Sequence, residues 1–180
     1  YNCSFCTIPL ARGKSRSLNV VDTINEIKNV LKSGTQEIII SGINLGDFGI
    51  LHNQNLEMLL LELEKLKSLK RYRLSSIEPN LFSDNIIDII KNSKKVMPHF
   101  HIPLQSGSDK ILKLMQRRYT AKLYANLVSK IKYSIPNACI GVDVIVGFPN
   151  ESNDDYLKTY NLLLELDVSY LHVFTFSERE

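Results

Sequence analysis

The sequence predicts an α/β fold in which parallel strands alternate with amphipathic helices. Apolar residues recur at helical spacing between short apolar runs, as Val20, Ile24, Ile27 and Leu31 do. The five predicted strands are residues 37–43, 72–77, 100–104, 138–146 and 170–176. Alternation of this kind calls for right-handed crossovers between parallel strands. A doubly wound sheet and a full or partial barrel both satisfy it, and periodicity alone does not choose between them.

Each predicted helix has its own start signal and one apolar side. The predicted N-caps are Asn19, Ser83, Thr120 and Ser152, the last paired with Asp155 in a capping box. The residues predicted to face the core are Leu56, Leu59, Leu60, Leu63 and Leu66, then Ile86, Ile89 and Ile90, then Leu123, Leu127 and Ile131. The leucine stripe is interpreted as simple core packing.

Composition indicates a globular domain. The chain has 180 residues, of which 44% are hydrophobic and 23% charged, and a net charge of +3. No run approaches the roughly 20 apolar residues that span a bilayer, and no signal peptide opens the chain. Three cysteines are too few for a disulfide scaffold, so we expect a reducing compartment, the cytoplasm. The charge is compatible with nucleic acid but does not argue for it.

The cysteine pair Cys3-Ser4-Phe5-Cys6 leaves three interpretations open. It could be a redox dithiol, half of a zinc site, or part of an iron-sulfur centre. Zinc would need two more ligands, and the sequence has no second CxxC and no close histidine pair. The histidines, His52, His99, His101 and His172, are scattered and are interpreted as surface or satisfied core residues. Cys139 is interpreted as a buried thiol just before a strand.

The segments around this pair and at the strand ends resemble the radical S-adenosylmethionine (SAM) methylthiotransferases. Residues 1–17 are similar to the cluster loop of that family. The other similar segments are residues 41–49, 74–79, 101–108, 115–120, 143–149 and 171–174. Ordered blocks at successive strand ends are far more specific than a lone CxxC.

The resemblance implies a 4Fe-4S cluster and SAM as cofactors. The family motif is Cys-x3-Cys-x2-Cys, and Cys3 and Cys6 match its second and third cysteines. The first is expected two residues before Tyr1. Three thiolates leave one iron open, which the amino and carboxylate groups of SAM can chelate.

The implied architecture is a partial (β/α)6 barrel of parallel strands. Its first strand would lie largely upstream of Tyr1, so the predicted strands would be its second to sixth. Residues 1–180 would be the radical SAM core domain, a fragment without the N-terminal methylthiotransferase domain, which binds a second cluster, or the C-terminal RNA-binding domain. We therefore expect the chain alone to be inactive.

The resemblance also implies which strand-end residues bind SAM. The segment containing Gly42 and Asn44 corresponds to the one whose backbone oxygens receive the amino group of SAM. Glu78 would accept the ribose hydroxyls. Gln105 and Arg117 resemble a polar pair whose arginine binds the carboxylate of SAM, with Arg118 as the neighbouring alternative.

Two further positions belong to this implied site. Asp143 lies inside an apolar strand, and because a buried carboxylate is costly unless it is hydrogen-bonded, we expect it to have a partner or ligand. Gly147 and Phe148 would bring backbone and an aromatic face to the adenine.

A basic run beside the cysteines has two interpretations. Arg12, Lys14 and Arg16 are either a solvated loop or a surface for RNA phosphates, to which Arg117, Arg118 and Lys122 could add.

Residues 42–49 and 75–79 look most like the branch that methylthiolates N6-threonylcarbamoyladenosine in tRNA beside the anticodon. The alternatives are isopentenyladenosine in tRNA and an aspartate of a ribosomal protein. From other classes, a non-catalytic RNA-binding module and a zinc or dithiol redox protein stay open. The sequence predicts tRNA as partner, but no electron donor, sulfur source or oligomeric state.

Overall fold

The computed structural model describes residues 3–178, so Tyr1 and Asn2 of the cysteine segment lie outside the described residues. The helices are α1 (Ile8–Arg12), α2 (Val20–Lys32), α3 (Leu56–Lys65), α4 (Asp84–Asn92), α5 (Asp109–Leu114), α6 (Ala121–Ser134) and α7 (Asn153–Glu165). The strands are β1 (Glu37–Ile40), β2 (Arg71–Leu74), β3 (His99–His101), β4 (Cys139–Val146) and β5 (Tyr170–Thr175). Within residues 3–178, none of the helices has the length and apolar character needed to cross a bilayer.

The strands follow chain order as a two-stranded and a three-stranded parallel sheet, which an isolated parallel bridge links. β1 pairs with β2, and β4 lies between β3 and β5. The β1–β2 pair meets the other three strands at Tyr72. Its backbone carbonyl accepts from Met97 N (2.9 Å), and its backbone N–H donates to Lys95 O (2.9 Å). Ile77 N also donates to His101 O at 3.2 Å. This order confirms the prediction of a partial parallel α/β barrel.

The two faces of the sheet differ in polarity. Toward the helices, side chains such as Tyr72, Leu74 and Phe100 are buried and form one core with the helix stripes. Because successive side chains alternate between faces, the residues between them line the concave face, and many of these are polar. There, the carboxylate of Glu37 accepts from Arg73 Nε at 2.7 Å and also from Arg71.

The predicted helix starts are confirmed. Asn19, Ser83 and Thr120 each cap a helix by accepting a backbone N–H, and Ser152 forms the predicted capping box with Asp155.

Two predictions about packing are wrong. Leu123 is 38% exposed, and α6 buries Tyr124 and Val128 beside Leu127 and Ile131. In α4, Ile89 packs against the core as predicted, although it is only half-buried, and the buried Ile87 was missed. Cys139 is half-buried and is the first residue of β4 rather than lying before it.

Candidate cofactor site

The cysteine pair lies on a turn held against the end of α5. Cys6 N donates to Cys3 O at 3.1 Å, and Ser4 donates through its N and Oγ to Met115 O and Leu114 O at 3.3 and 2.9 Å. Phe5 packs against a small cluster that contains Ile145 and Phe148, at the carboxyl end of β4. Both thiols are free and half-buried.

Cys139 takes no part in this site. It begins β4, whereas the cysteine turn packs at the opposite end of the same strand. Eight residues of extended strand separate the two ends by about 23 Å. The thiols that could bind one metal centre here, among residues 3–178, are therefore those of Cys3 and Cys6.

Arg117 joins the cysteine turn to the end of β2. Its Nη1 donates to Cys3 Sγ at 3.0 Å and its Nη2 to the Glu78 carboxylate, while Nε donates to Tyr119 Oη at 3.0 Å. The side chains of Arg117 and Glu78 are 3% and 11% exposed. Burial raises the pKa of Glu78, and Arg117 only partly offsets this. Burial alone would lower the pKa of Arg117, but Tyr119, Glu78 and Cys3 raise it overall, so the guanidinium stays charged.

Asn44 presents a buried donor with no partner. Its Oδ1 accepts from Gly46 N and Glu78 N, each at 3.2 Å, which fixes the orientation of the amide beside Glu78. Its Nδ2 is buried and has no hydrogen-bond partner among residues 3–178. An unmade hydrogen bond of this kind is costly, so the atom marks a place where a ligand acceptor would be favoured. Gly42 is exposed, and its carbonyl accepts from Ser75 Oγ at 3.2 Å.

A cleft of about 300 Å³ opens at the carboxyl ends of β3, β4 and β5. Its lining comprises Phe5, Gln105, Asp143, Ile145, Phe174, Thr175, Phe176 and Ser177. Gln105 is buried and has a left-handed φ of +67°, and its backbone bonds Asp143 O and Ile145 N at 2.8 and 2.9 Å.

Gly147 and Phe148 follow β4 directly. Gly147 has a φ of +74°, a backbone conformation that favours glycine. Phe148 is buried and contacts Phe176 edge to face, with ring centroids 5.2 Å apart. The structure thus brings Cys3, Glu78, Arg117 and Asn44 together on one side of the cysteine turn. Gln105, Asp143 and the aromatic rings gather at Phe5 on the other side.

The partners of Asp143 were missed by the sequence analysis. Its Oδ1 accepts from His101 Nε2 at 2.8 Å and from His172 Nδ1 at 3.1 Å. Burial would raise the pKa of Asp143, but the two imidazoles lower it overall. The sequence has no histidines close together in the chain, but the fold brings His101 and His172 together, with ring centroids 5.9 Å apart. The useful signal was their matching position on adjacent strands, since Asp143 is in register with His172.

The predicted RNA-contacting residues are accessible. Arg12, Lys14 and Arg16 are exposed, at or just after α1, and Arg118 and Lys122 are also exposed. Exposure permits RNA contact but does not demonstrate it, so this stays a prediction.

The turn after β3 is fastened to α7 by a buried carboxylate. Asp155 is 2% exposed and accepts from Ser108 Oγ, Lys110 Nζ and Ser152 Oγ, each at 2.7 Å. Gly107 N donates to Thr159 Oγ1 at 2.8 Å. Lys110 and the two serines lower the pKa of Asp155 well below its ordinary value. These bonds fix the turn that follows Gln105.

Replacing Asp155 by Asn should destabilise the protein at neutral pH and less so in acid. Because the folded state lowers the pKa of Asp155, its contribution is present above the unfolded value of about 3.9 and is lost as the pH falls below it. Thermal unfolding at about pH 7 and about pH 3 measures the effect, with exposed Asp154→Asn as control. Equal destabilisation at both pH values would contradict the prediction.

The fold and this arrangement of residues define an α/β enzyme core with its site at the strand ends. The Radical SAM superfamily model matches residues 1–163. The chain therefore belongs to the radical SAM superfamily.

Several curated relatives are similar over nearly the whole chain. It is 40% identical to threonylcarbamoyladenosine tRNA methylthiotransferase MtaB of Aquifex aeolicus (strain VF5), covering 98% of this chain and 43% of the relative. Identity to MtaB of Bacillus subtilis (strain 168) is also 40%, covering 98% of this chain and 40% of the relative. Identity to the tRNA-2-methylthio-N(6)-dimethylallyladenosine synthase of Lachnoclostridium phytofermentans is 37%, covering 98% of this chain and 39% of the relative. The chain thus spans less than half the length of these relatives.

Solved structures support the fold alone. The cobalamin-dependent SAM radical enzyme OxsB with aqua-cobalamin bound superposes with a TM-score of 0.68 at 16% identity, covering 89% of this chain and 24% of that one.

Membership of the superfamily implies a 4Fe-4S cluster and SAM, and the described residues fit them. Cys3 and Cys6 supply two free thiols on one turn, the donor type that iron-sulfur clusters use. Arg117 places a buried positive charge against Cys3 Sγ, which complements anionic ligands. The unpartnered Nδ2 of Asn44 offers a donor beside Glu78.

Proposed function

We propose that residues 1–180 are the radical SAM core domain of a tRNA methylthiotransferase whose substrate is N6-threonylcarbamoyladenosine. The observation that carries the proposal is the cysteine turn with the buried Arg117 against Cys3, in a chain 40% identical to two methylthiotransferases of that specificity. The whole enzyme would carry a second cluster and an RNA-binding region outside this domain.

The residues on the Cys3 side of the site would hold the cluster and the polar end of SAM. Cys3 and Cys6 would ligate iron through their thiolates. Arg117 is the buried cation suited to the carboxylate of SAM, because its planar guanidinium can donate two parallel hydrogen bonds. Glu78 accepts from this guanidinium and would accept ribose hydroxyls beside it. Backbone carbonyls near Gly42 would accept from the amino group of SAM, and the unpartnered Nδ2 of Asn44 would donate to an oxygen of the ligand.

The residues on the Phe5 side would hold the adenine and exclude water. Phe148 and Gly147 offer an aromatic face and an approachable backbone at the end of β4. Gln105 is fixed in the cleft wall by its left-handed backbone. Asp143 lines the same cleft, where two imidazoles engage its carboxylate.

Together, cluster and SAM when bound supply a carbon-centred radical able to activate an unreactive C–H bond for methylthio insertion. The protein's own contribution is to orient these groups and keep solvent away. Three of the lining side chains, Phe5, Phe174 and Phe176, are aromatic and present a largely apolar wall. Such a wall protects a reactive species from side reactions.

Isopentenyladenosine in tRNA is the second candidate substrate. Two relatives at 37% and 39% identity are dimethylallyladenosine synthases, and three threonylcarbamoyl enzymes are at 38% to 40%. Both candidates are tRNA nucleosides, so both make tRNA the partner and the cytoplasm the place of action. Arg12, Lys14 and Arg16, exposed beside the cysteine turn, would meet RNA phosphates.

Mass spectrometry of tRNA nucleosides from cells with and without the full-length gene tests the proposal. We expect loss of the gene to remove the methylthio nucleoside and to accumulate N6-threonylcarbamoyladenosine. Complementation with the wild-type gene should restore the product, and a Cys6→Ser gene should not. Accumulation of isopentenyladenosine would select the second candidate, and unchanged nucleosides of both kinds would contradict tRNA methylthiolation.

A further inference from the structure

Three side chains of the metal-binding type meet on the concave face of the sheet. His101 lies on β3, Asp143 on β4 and His172 on β5, so adjacent parallel strands hold all three. One nitrogen of each ring and a carboxylate oxygen lie within 4.8 Å of one another. The side chains of His101 and Asp143 are 20% and 21% exposed, whereas His172 is 54% exposed.

The spacing is close to that of ligands around a single ion. Ligand bonds of about 2.1 Å put neighbouring ligand atoms about 3.0 Å apart at right angles and about 3.4 Å apart in a tetrahedron. His101 Nε2 and His172 Nδ1 lie 2.8 and 3.1 Å from Asp143 Oδ1. All three ligand atoms lie within 4.8 Å of one another, so an ion that binds both rings requires the two ring nitrogens to sit close together on the same side of the carboxylate.

A further contact supports the orientation of His101. Its Nδ1 lies 2.6 Å from Ser76 Oγ, at the end of β2. A metal-binding imidazole usually donates its other N–H to an oxygen of the protein, which fixes the tautomer that leaves the ligating nitrogen unprotonated. Ser76 is placed to be that acceptor for His101.

We propose that His101, Asp143 and His172 form a binding site for a divalent transition-metal ion of the Zn²⁺ or Fe²⁺ type. Two neutral imidazoles and one carboxylate suit such ions better than Mg²⁺ or Ca²⁺, which prefer all-oxygen ligands. Three protein ligands leave coordination positions open to water or a small molecule. Asp143 also lines the 300 Å³ cleft, so an open position would face the cleft that Phe5 borders. The site shares Asp143 and this cleft with the proposed function, but zinc binding without the cluster cysteines is measured whether or not that function holds.

The test is zinc binding by the full-length protein in a background where Cys3, Cys6 and every other cluster cysteine of the whole chain are replaced by Ser. Removing those thiols matters because cysteine is itself a zinc ligand. Bound zinc is measured by elemental analysis after dialysis, and Co²⁺ serves as a spectroscopic probe of the ligands. The variants on this background are Asp143→Asn, His172→Ala, Ser76→Ala and, as control, the exposed His52→Ala.

We expect one zinc per chain in the background and in the His52 variant. Asp143→Asn and His172→Ala should lose stoichiometric binding, and Ser76→Ala should weaken it about tenfold. Bound Co²⁺ should show a d–d spectrum without a thiolate charge-transfer band. His172 is half-exposed, so circular dichroism should show its variant folded. The proposal is overturned if the background binds no zinc, or if binding survives both ligand replacements. Asp143 would then be a hydrogen-bond acceptor for the two rings and nothing more.

Discussion

Replacing Cys3 or Cys6 by Ser should abolish iron incorporation at this domain and, with it, all methylthiolation. A serine hydroxyl has nearly the same size as the thiol, but it is a hard, weakly acidic ligand that does not hold an iron-sulfur cluster. Both thiols are free and half-buried on one turn, so each is available as a ligand. Iron and sulfide content after anaerobic reconstitution of the full-length protein, together with activity on tRNA, measures the effect.

Cys139→Ser is the matched control for this prediction. Its thiol lies at the start of β4, about 23 Å along the strand from the end that the cysteine turn contacts. We expect this variant to keep wild-type iron and activity. Normal iron content in the Cys3 or Cys6 variant would show that the replaced thiol does not ligate the cluster. Bound zinc without iron, or a reversible Cys3–Cys6 disulfide, would instead favour a zinc or dithiol redox protein.

The elements were predictable from the sequence because their signals are local. The caps Asn19 and Ser83 accept backbone N–H groups of residues that follow them in the chain, and the leucine stripe of α3 repeats with the helical period. In α6, the helical period alone misplaced one residue of the buried side. Leu123 was predicted to face the core but is exposed, whereas its neighbour Tyr124 is buried and donates its hydroxyl to Ile102 O.

Sequence proposed residues for the candidate site but could not give their contacts. The family resemblance singled out Glu78, Gln105 and Asp143, which belong to predicted strand ends, where sites of α/β proteins gather. The contacts depend on register and burial, which sequence spacing does not carry. Arg117 is 39 residues from Glu78 and 114 from Cys3, yet it bonds both. The polar concave face was missed for the same reason, since each strand was interpreted as a buried apolar run.

Replacing Arg117 by Ala should destabilise the protein by about 3 kcal/mol at neutral pH, because it leaves a buried carboxylate without its partner. Burial already raises the pKa of Glu78, and loss of the guanidinium raises it further. A carboxyl with a raised folded pKa binds its proton more tightly in the folded state, so the folded state gains stability as the pH falls from the folded pKa toward the unfolded value of about 4.3. The destabilisation should therefore be smaller at about pH 5 than at about pH 7. Denaturant unfolding at the two pH values measures both effects.

The double variant Arg117→Ala/Glu78→Gln separates a buried charge from simple loss of packing. Removing both charges leaves no uncompensated carboxylate, so the double variant should recover part of the lost stability and show no such dependence on pH. Arg118→Ala, at the exposed neighbouring position, is the comparison variant. All variants that lack Arg117 should also bind SAM more weakly than the Arg118 variant if Arg117 receives the carboxylate of SAM. Equal SAM affinity in the Arg117 and Arg118 variants would assign Arg117 to holding Glu78 and the cysteine turn in place rather than to the cofactor.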